Sequence, residues 1–142
     1  MRCGKGKFIN VSTNYYYIGD YQNDKKHGYG KEVHANGDFY VGEFRQGKRQ
    51  GEGTFEWKAS SKSYTGQWAN NNMHGNGTFI WPDGRKHIGT YNDNKWHGEG
   101  KLIFKSGRKE TGTWVNDKRD GIFMHTNSNG VCKPVTWTNG EA

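Results

Sequence analysis

Residues 64–84 read YTGQWANNNMHGNGTFIWPDG. Tyr64, Gly66 and Trp68 alternate with other residues, an Asn-rich segment follows, and Gly75, Gly77, Phe79 and Trp81 alternate again before Pro82-Asp83-Gly84. A period of two marks strands with one buried face, and clusters of Asn, Gly and Pro between such runs mark turns. The stretch is one β-hairpin with a turn leading out of it.

The rest of the chain repeats this unit. The leading position and the glycine two residues later recur as Tyr17/Gly19, Tyr40/Gly42, Tyr64/Gly66, His87/Gly89 and Glu110/Gly112, at spacings of 23, 24, 23 and 23 residues. A second landmark, G-x-G, recurs as Gly4/Gly6, Gly28/Gly30, Gly51/Gly53, Gly75/Gly77 and Gly98/Gly100, and decays to Gly121 followed by Phe123. Two landmarks keeping one period of 23–24 residues predict a solenoid-like array of small supersecondary units. About ten strands at roughly 4.8 Å give an array of order 50 Å.

The composition suits such an array. The 142 residues include 22 glycines, six tryptophans, eight tyrosines and seven phenylalanines, with only two prolines. Branched aliphatics are too few for a two-layer core, whereas a single sheet can pack aromatics along one face. Alternation predicts rings lying flat over bare glycine backbone at Gly19, Gly28, Gly30 and their equivalents. Each ring buries roughly 150–250 Å² when covered. That offsets the cost of glycine in strands, about 0.5–1 kcal/mol each. The glycines assigned this structural role are Gly28, Gly30, Gly51, Gly53, Gly75, Gly77, Gly98 and Gly100.

In chain order, residues 1–14 read as the back half of a repeat, serving as an N-terminal cap or half-repeat. Residues 15–125 read as five repeats, the last degenerate, and 126–142 as a C-terminal tail or cap that adds a strand, covers the sheet end or stays loose. Three departures stand out. Glu32 occupies an apolar position with Val33 displaced by one, which predicts a bulge or register change there. His87 and Glu110 replace the leading tyrosine. Phe123 is expected to close the last hydrophobic step.

The signature Y-x-G-x-W/Y-x-N-x-K-x-H-G-x-G, best matched from Tyr64 to Gly77 and from Gly89 to Gly100, resembles MORN repeats (membrane occupation and recognition nexus) over roughly residues 4–125. The resemblance implies an all-β fold: an elongated, single-layer, twisted array of antiparallel hairpins. It also implies a non-catalytic interaction scaffold or adaptor, attached to cytoskeletal, ciliary or cortical structures through protein partners. Two other readings stay open: a module that targets anionic phospholipid, and a regulatory part of a larger protein.

The residues themselves lead to the same class. His27, His74 and His97 recur at one repeat position, too far apart for one zinc, and read as turn-packing residues. Asp24, Asp93, Asp117 and Asp120 read as turn residues. No catalytic group, metal site, phosphate loop or cofactor site is indicated. The aromatic face, Tyr17, Tyr21, Tyr40, Phe44, Tyr64, Trp68, Tyr91 and Trp114, is the candidate docking surface for an extended peptide or an amphipathic helix, with core packing as the rival role. The net charge of +7 favours acidic partners, including an anionic membrane surface, while nucleic acid is disfavoured because the aromatics repeat as a packing row. Cys3 and Cys132 lack metal or redox spacing and read as free thiols. With no signal peptide and no apolar run of about 18 residues, the chain is placed in the cytoplasm or at the cytosolic face of a membrane.

Period-two patterning in every unit predicts a far-UV circular dichroism spectrum of strand and turn. A dominant helical signal would contradict the fold.

Overall fold

A computed structural model of the chain describes residues 4–10 and 13–138. These form two compact units, residues 1–72 and 73–142. The first contains β1 (Gly4–Asn10), β2 (Tyr15–Gln22), β3 (Lys25–Val33), β4 (Phe39–Arg45), β5 (Lys48–Trp57) and β6 (Lys62–Ala69). The second contains β7 (Asn72–Ile80, apart from its first residue), β8 (Lys86–Asn92), β9 (Lys95–Ile103), β10 (Lys109–Val115), β11 (Lys118–Thr126) and β12 (Cys132–Trp137). In each unit consecutive strands pair antiparallel in chain order, giving an open single-layer sheet without crossovers. The all-β array of hairpins expected from the repeat is the observed fold.

The hairpin turns are tight because both central residues adopt positive φ. The pairs are Asn23/Asp24, Gln46/Gly47, Asn70/Asn71, Asp93/Asn94 and Asn116/Asp117. That is the type I′ geometry, whose twist matches paired strands and which favours Asn, Asp and Gly. Asp24, Asp93 and Asp117 are therefore turn residues as read, but Asp120 lies inside β11, opposite Thr113.

Turns of successive hairpins are stitched together. The His27 Nδ1 accepts the Gln46 amide at 3.3 Å, the Gln50 Oε1 accepts the Asn70 amide at 3.1 Å, and the His97 Nδ1 accepts the Asn116 amide at 3.3 Å. The Asn71, Asn94 and Asp117 side chains accept the amides of Arg49, Met73 and Trp96. At positions 27 and 97 the repeated histidine thus serves as a backbone acceptor, and Gln50 can replace it because an amide oxygen does the same work.

The two glycines of G-x-G have different jobs. Gly30 and Gly53 lie under the rings of Tyr17 and Tyr40, where a Cβ would overlap the phenol. Gly51, with φ +86°, instead makes a bulge. Glu43 alone spans Gln50 to Glu52, and its carboxylate accepts the Glu52 amide at 2.5 Å. The same arrangement recurs at Asp20 with Gly28. The expectation that a ring covers every glycine therefore fails for the first of each pair, which the backbone requires for its left-handed φ. The bulge also frees a carbonyl that the ring uses. The Tyr17, Tyr40 and Tyr64 hydroxyls donate to the carbonyls of Asp20, Glu43 and Gln67 at 2.7, 2.8 and 2.8 Å.

No bulge lies at Glu32. Its register is continuous, opposite Tyr17 on one side and Tyr40 on the other, and the side chain points inward and is buried. In the last hairpin Phe123 is fully buried against Gly112, packing a ring from the second strand where Glu110 offers none from the first. The segment after residue 126 continues the pattern: a turn at 127–131 leads into β12, which pairs with β11.

Gly53→Ala should evict the Tyr40 ring and cost about 3–5 kcal/mol, similar to losing a buried aromatic. The cost should largely vanish in a Tyr40→Ala background. Gly51→Ala should cost about 1–3 kcal/mol in either background. Denaturant titrations of both cycles distinguish ring shelter from bulge strain; equal coupling of both glycines to Tyr40 would refute the division of roles.

Candidate functional site

In the first unit six of the candidate aromatics form one zigzag of edge-to-face rings. Tyr21 meets Tyr17 at 5.1 Å, Tyr17 meets Phe44 at 5.1 Å, Phe44 meets Tyr40 at 5.0 Å, Tyr40 meets Trp68 at 5.3 Å and Trp68 meets Tyr64 at 5.2 Å. Interplanar angles of 81–87° suit the ring quadrupoles, each such pair being worth about 0.5–1.5 kcal/mol beyond burial. In the second unit Tyr91 and Trp114 meet through His87, at 5.3 and 4.8 Å. All eight residues are buried, none more than 7% exposed. They form the floor of the aromatic face, and most of their surface is already spent on one another.

The row is roofed by residues that the alternation alone did not single out. Lys26 Nζ lies 5.2 Å from the Phe44 ring, and the Arg49 guanidinium lies 5.1 Å from Trp68 and 5.8 Å from Tyr40. Trp96 takes the same repeat position and stacks flat on His87 at 4.2 Å. Arg119 follows in the last hairpin. The available signal was the recurrence of a long side chain one residue before the histidine position, at Lys26, Arg49, Met73, Trp96 and Arg119.

Glu32 ties this roof together. Its Oε2 accepts from the Tyr15 hydroxyl at 2.8 Å and from Lys26 at 3.0 Å, and its Oε1 accepts from Arg49 at 2.8 Å. Burial pushes its pKa up, but Lys26, Tyr15 and Arg49 outweigh that and hold it below the usual carboxylate value. Burial, then the Glu32 charge, drives the Tyr15 phenol well above its ordinary pKa. Glu110 is the counterpart in the second unit, paired with Arg119 at 2.7 Å. Arg119 lies 4.6 Å over the Trp137 ring and so holds β12 to the array.

His87 fills the leading-tyrosine position with a neutral ring. Its Nδ1 meets the Tyr91 hydroxyl at 2.9 Å, and its buried Nε2, without a partner, faces Gly100. Burial pulls its pKa down to about 4.

One cavity in the first unit adjoins the end of the aromatic row, where the half-buried Tyr15 stands beside it. It holds about 440 Å³ and is walled by Tyr15, Tyr17 and Tyr21, with Asp24, Lys25, Lys26 and Gly47 around the mouth. Among the described residues no group of three His, Cys, Asp or Glu is placed to hold a metal. Cys132 is an exposed thiol on β12, and Cys3 lies outside the described residues.

A hairpin array built on ring-over-glycine packing, with an aromatic face and no reactive constellation in view, defines a β-repeat interaction module. The sequence matches the MORN repeat over residues 17–39, 40–62, 64–84, 87–107 and 111–122. The chain belongs to the MORN-repeat family. Solved structures to which the chain is similar include the TCP domain of SAS-4 (dCPAP) of Drosophila melanogaster, in complex with a proline-rich motif of Ana2 (dSTIL). It is 14% identical, with a TM-score of 0.48 over 96% of this chain and 86% of that one. The G-box domain of the microcephaly protein CPAP is 19% identical, with a TM-score of 0.36 over 96% and 78%.

The His87 shift fixes an acid limit. Its folded pKa of about 4 lies below the ordinary 6.5, so the unfolded chain binds the proton first. The stability it supports is complete above pH 6.5 and declines as pH falls to about 4, by up to about 3 kcal/mol. His87→Tyr, which restores the phenol of the other repeats, should flatten that slope in pH-resolved thermal melts. An unchanged slope would assign the acid sensitivity elsewhere.

Proposed function

We propose that the chain is a protein-interaction scaffold that anchors a partner segment, an extended peptide or one face of an amphipathic helix, in the cavity walled by Tyr15, Tyr17 and Tyr21. The observation that carries this reading is the cavity itself. Elsewhere in the unit the aromatic row is consumed by its own ring contacts and by the Lys26 and Arg49 roof, whereas here the half-buried Tyr15 ring stands beside Lys26 at the edge of the buried row. An apolar floor with a few polar groups at its mouth is the usual construction of a site that takes an anchoring side chain. The remaining candidate aromatics act from behind, by holding that floor rigid. The family resemblance supports a cytoplasmic setting on cytoskeletal, ciliary or cortical structures.

A second reading, docking on anionic phospholipid, draws on the net charge of +7. Surface lysines attract anionic membranes by about 1 kcal/mol each, and such binding collapses as salt rises.

Tyr15→Ser opens the cavity wall and removes one donor to Glu32, leaving Lys26 and Arg49 to hold that carboxylate. Partner capture by the purified chain should persist at moderate salt and be lost in this variant while its melting profile stays cooperative. Co-sedimentation with phosphatidylserine vesicles should be weak and vanish with salt. Tight vesicle binding that survives salt, with capture unchanged in Tyr15→Ser, would reverse the order of the two readings.

A further inference from the structure

Beside the aromatic cavity lies a second one, of about 500 Å³, lined by Lys25, Arg45, Gln46, Lys48, Gln50 and Asn70. Three of its six lining residues are cations and none is a carboxylate. Lys25, Arg45 and Lys48 are exposed, and none of them takes part in an ion pair among the described residues, in contrast to Lys26 and Arg49, which are both committed to Glu32. The nearest acid in sequence is Asp24, at the mouth of the aromatic cavity.

The placement of two of these cations is unfavourable in the free protein. Arg45 and Lys48 flank the Gln46-Gly47 turn and are direct cross-strand partners on β4 and β5. Like charges in that register repel and destabilise a hairpin. The turn amide of Gln46 is already stitched to His27, so the geometry that faces the two charges toward one another is held in place. An anion between them removes the repulsion and gains a charge-assisted contact with the Arg45 fork.

We propose that the turn edge of the first unit is the docking site for an acidic segment of the same protein partner, adjoining the aromatic anchor. This rests on the reading of the preceding section and supplies the partner's chemistry: an aromatic or bulky apolar residue followed by a run of carboxylates. Lys25 lines both cavities, which adjoin at the turn edge, so a chain rounding that edge reaches the cations from the ring pocket. The turns of neighbouring hairpins are about two strand spacings apart, roughly 10 Å, which about three residues of extended chain span. A peptide follows this path, alternating from an apolar pocket to a charged one, while a planar lipid surface meets the cations without entering the ring pocket.

The experiment uses the whole chain and a labelled peptide in which one tryptophan precedes a run of glutamates, read by fluorescence anisotropy at low and moderate salt. Comparison arms are the same peptide with glutamines, phosphatidylserine vesicles and inorganic phosphate. The glutamate peptide should bind, and Arg45→Glu or Lys48→Glu should weaken it by about tenfold or more. Lys105→Glu, a reversal at an exposed site in the second unit, should leave it unchanged. Lys48→Glu should also raise the melting temperature, since it turns a repulsive cross-strand pair into an attractive one, so loss of binding cannot be ascribed to unfolding.

No binding of the glutamate peptide, equal binding of the glutamine peptide, or indifference to both reversals would overturn the proposal. Vesicles bound through Lys48 in place of the peptide would also overturn it, in favour of the lipid reading. A glutamine peptide that binds equally and is lost in Tyr15→Ser would overturn the acidic site while leaving the aromatic anchor standing.

Discussion

The structure depends on one contact: a tyrosine ring laid on glycine backbone, with its hydroxyl donating to the carbonyl three residues later. Tyr17 and Tyr40 make it in full, over Gly30 and Gly53, and the Tyr64 hydroxyl makes the same hydrogen bond. A single-layer sheet has no second layer to bury its face, so the ring must find its apolar partner within the strand pair. Bare glycine lets it approach closely enough to exclude water. The hydroxyl would then be left in a dry place without a partner, at a cost comparable to a lost hydrogen bond. The bulge solves this by turning a backbone carbonyl out of the ladder and toward the ring. The left-handed glycine that makes the bulge and the extended glycine under the ring are thus parts of one device.

Where the leading residue or its neighbours depart from that device, the surroundings compensate with specific chemistry. His87 keeps the ring but has no phenol, so Trp96 stacks on it and Tyr91 supplies a hydroxyl from the same strand. Glu110 has no ring, and Phe123 reaches over Gly112 from the opposite strand in place of a second glycine. Glu32 places a charge where an apolar side chain belongs. It stays ionised because Lys26, Arg49 and Tyr15 converge on it, and the two cations also pack over the aromatic row. Removing one partner of such a cluster leaves an uncompensated buried charge, whereas the intact cluster orders the roof in one arrangement.

These economies decide what remains for a partner. Rings that pack edge to face along the row are floor, not contact surface. What the first unit presents is the gap at Tyr15, Tyr17 and Tyr21, and beside it the cations that no internal carboxylate claims. Stability and recognition therefore draw on different members of the same basic set. Lys26 and Arg49 are drawn inward by Glu32, and Lys25, Arg45 and Lys48 stay outside. The net positive charge of the sequence mixes these two groups, and under the proposed reading only the outer one bears on recognition.

Much of this was legible in the residues. The 23–24 residue period, the strand alternation and the Asn- and Gly-rich turns determine an antiparallel hairpin array, because periodicity and turn chemistry are local properties. The identity of the buried row was equally legible, since alternation assigns Tyr17, Tyr40 and Tyr64 to one face. Three things were decided only by tertiary structure. The separate duties of Gly51 and Gly53 depend on φ and on which ring lies above, and G-x-G is silent on both. The inward turn of Glu32 depends on Arg49, seventeen residues away, arriving from another hairpin to neutralise it; the sequence alone shows an acid in an apolar slot and suggests a register change. The choice between core and docking surface depends on how completely the rings cover one another, which is a matter of distances between strands and not of the order of residues along them.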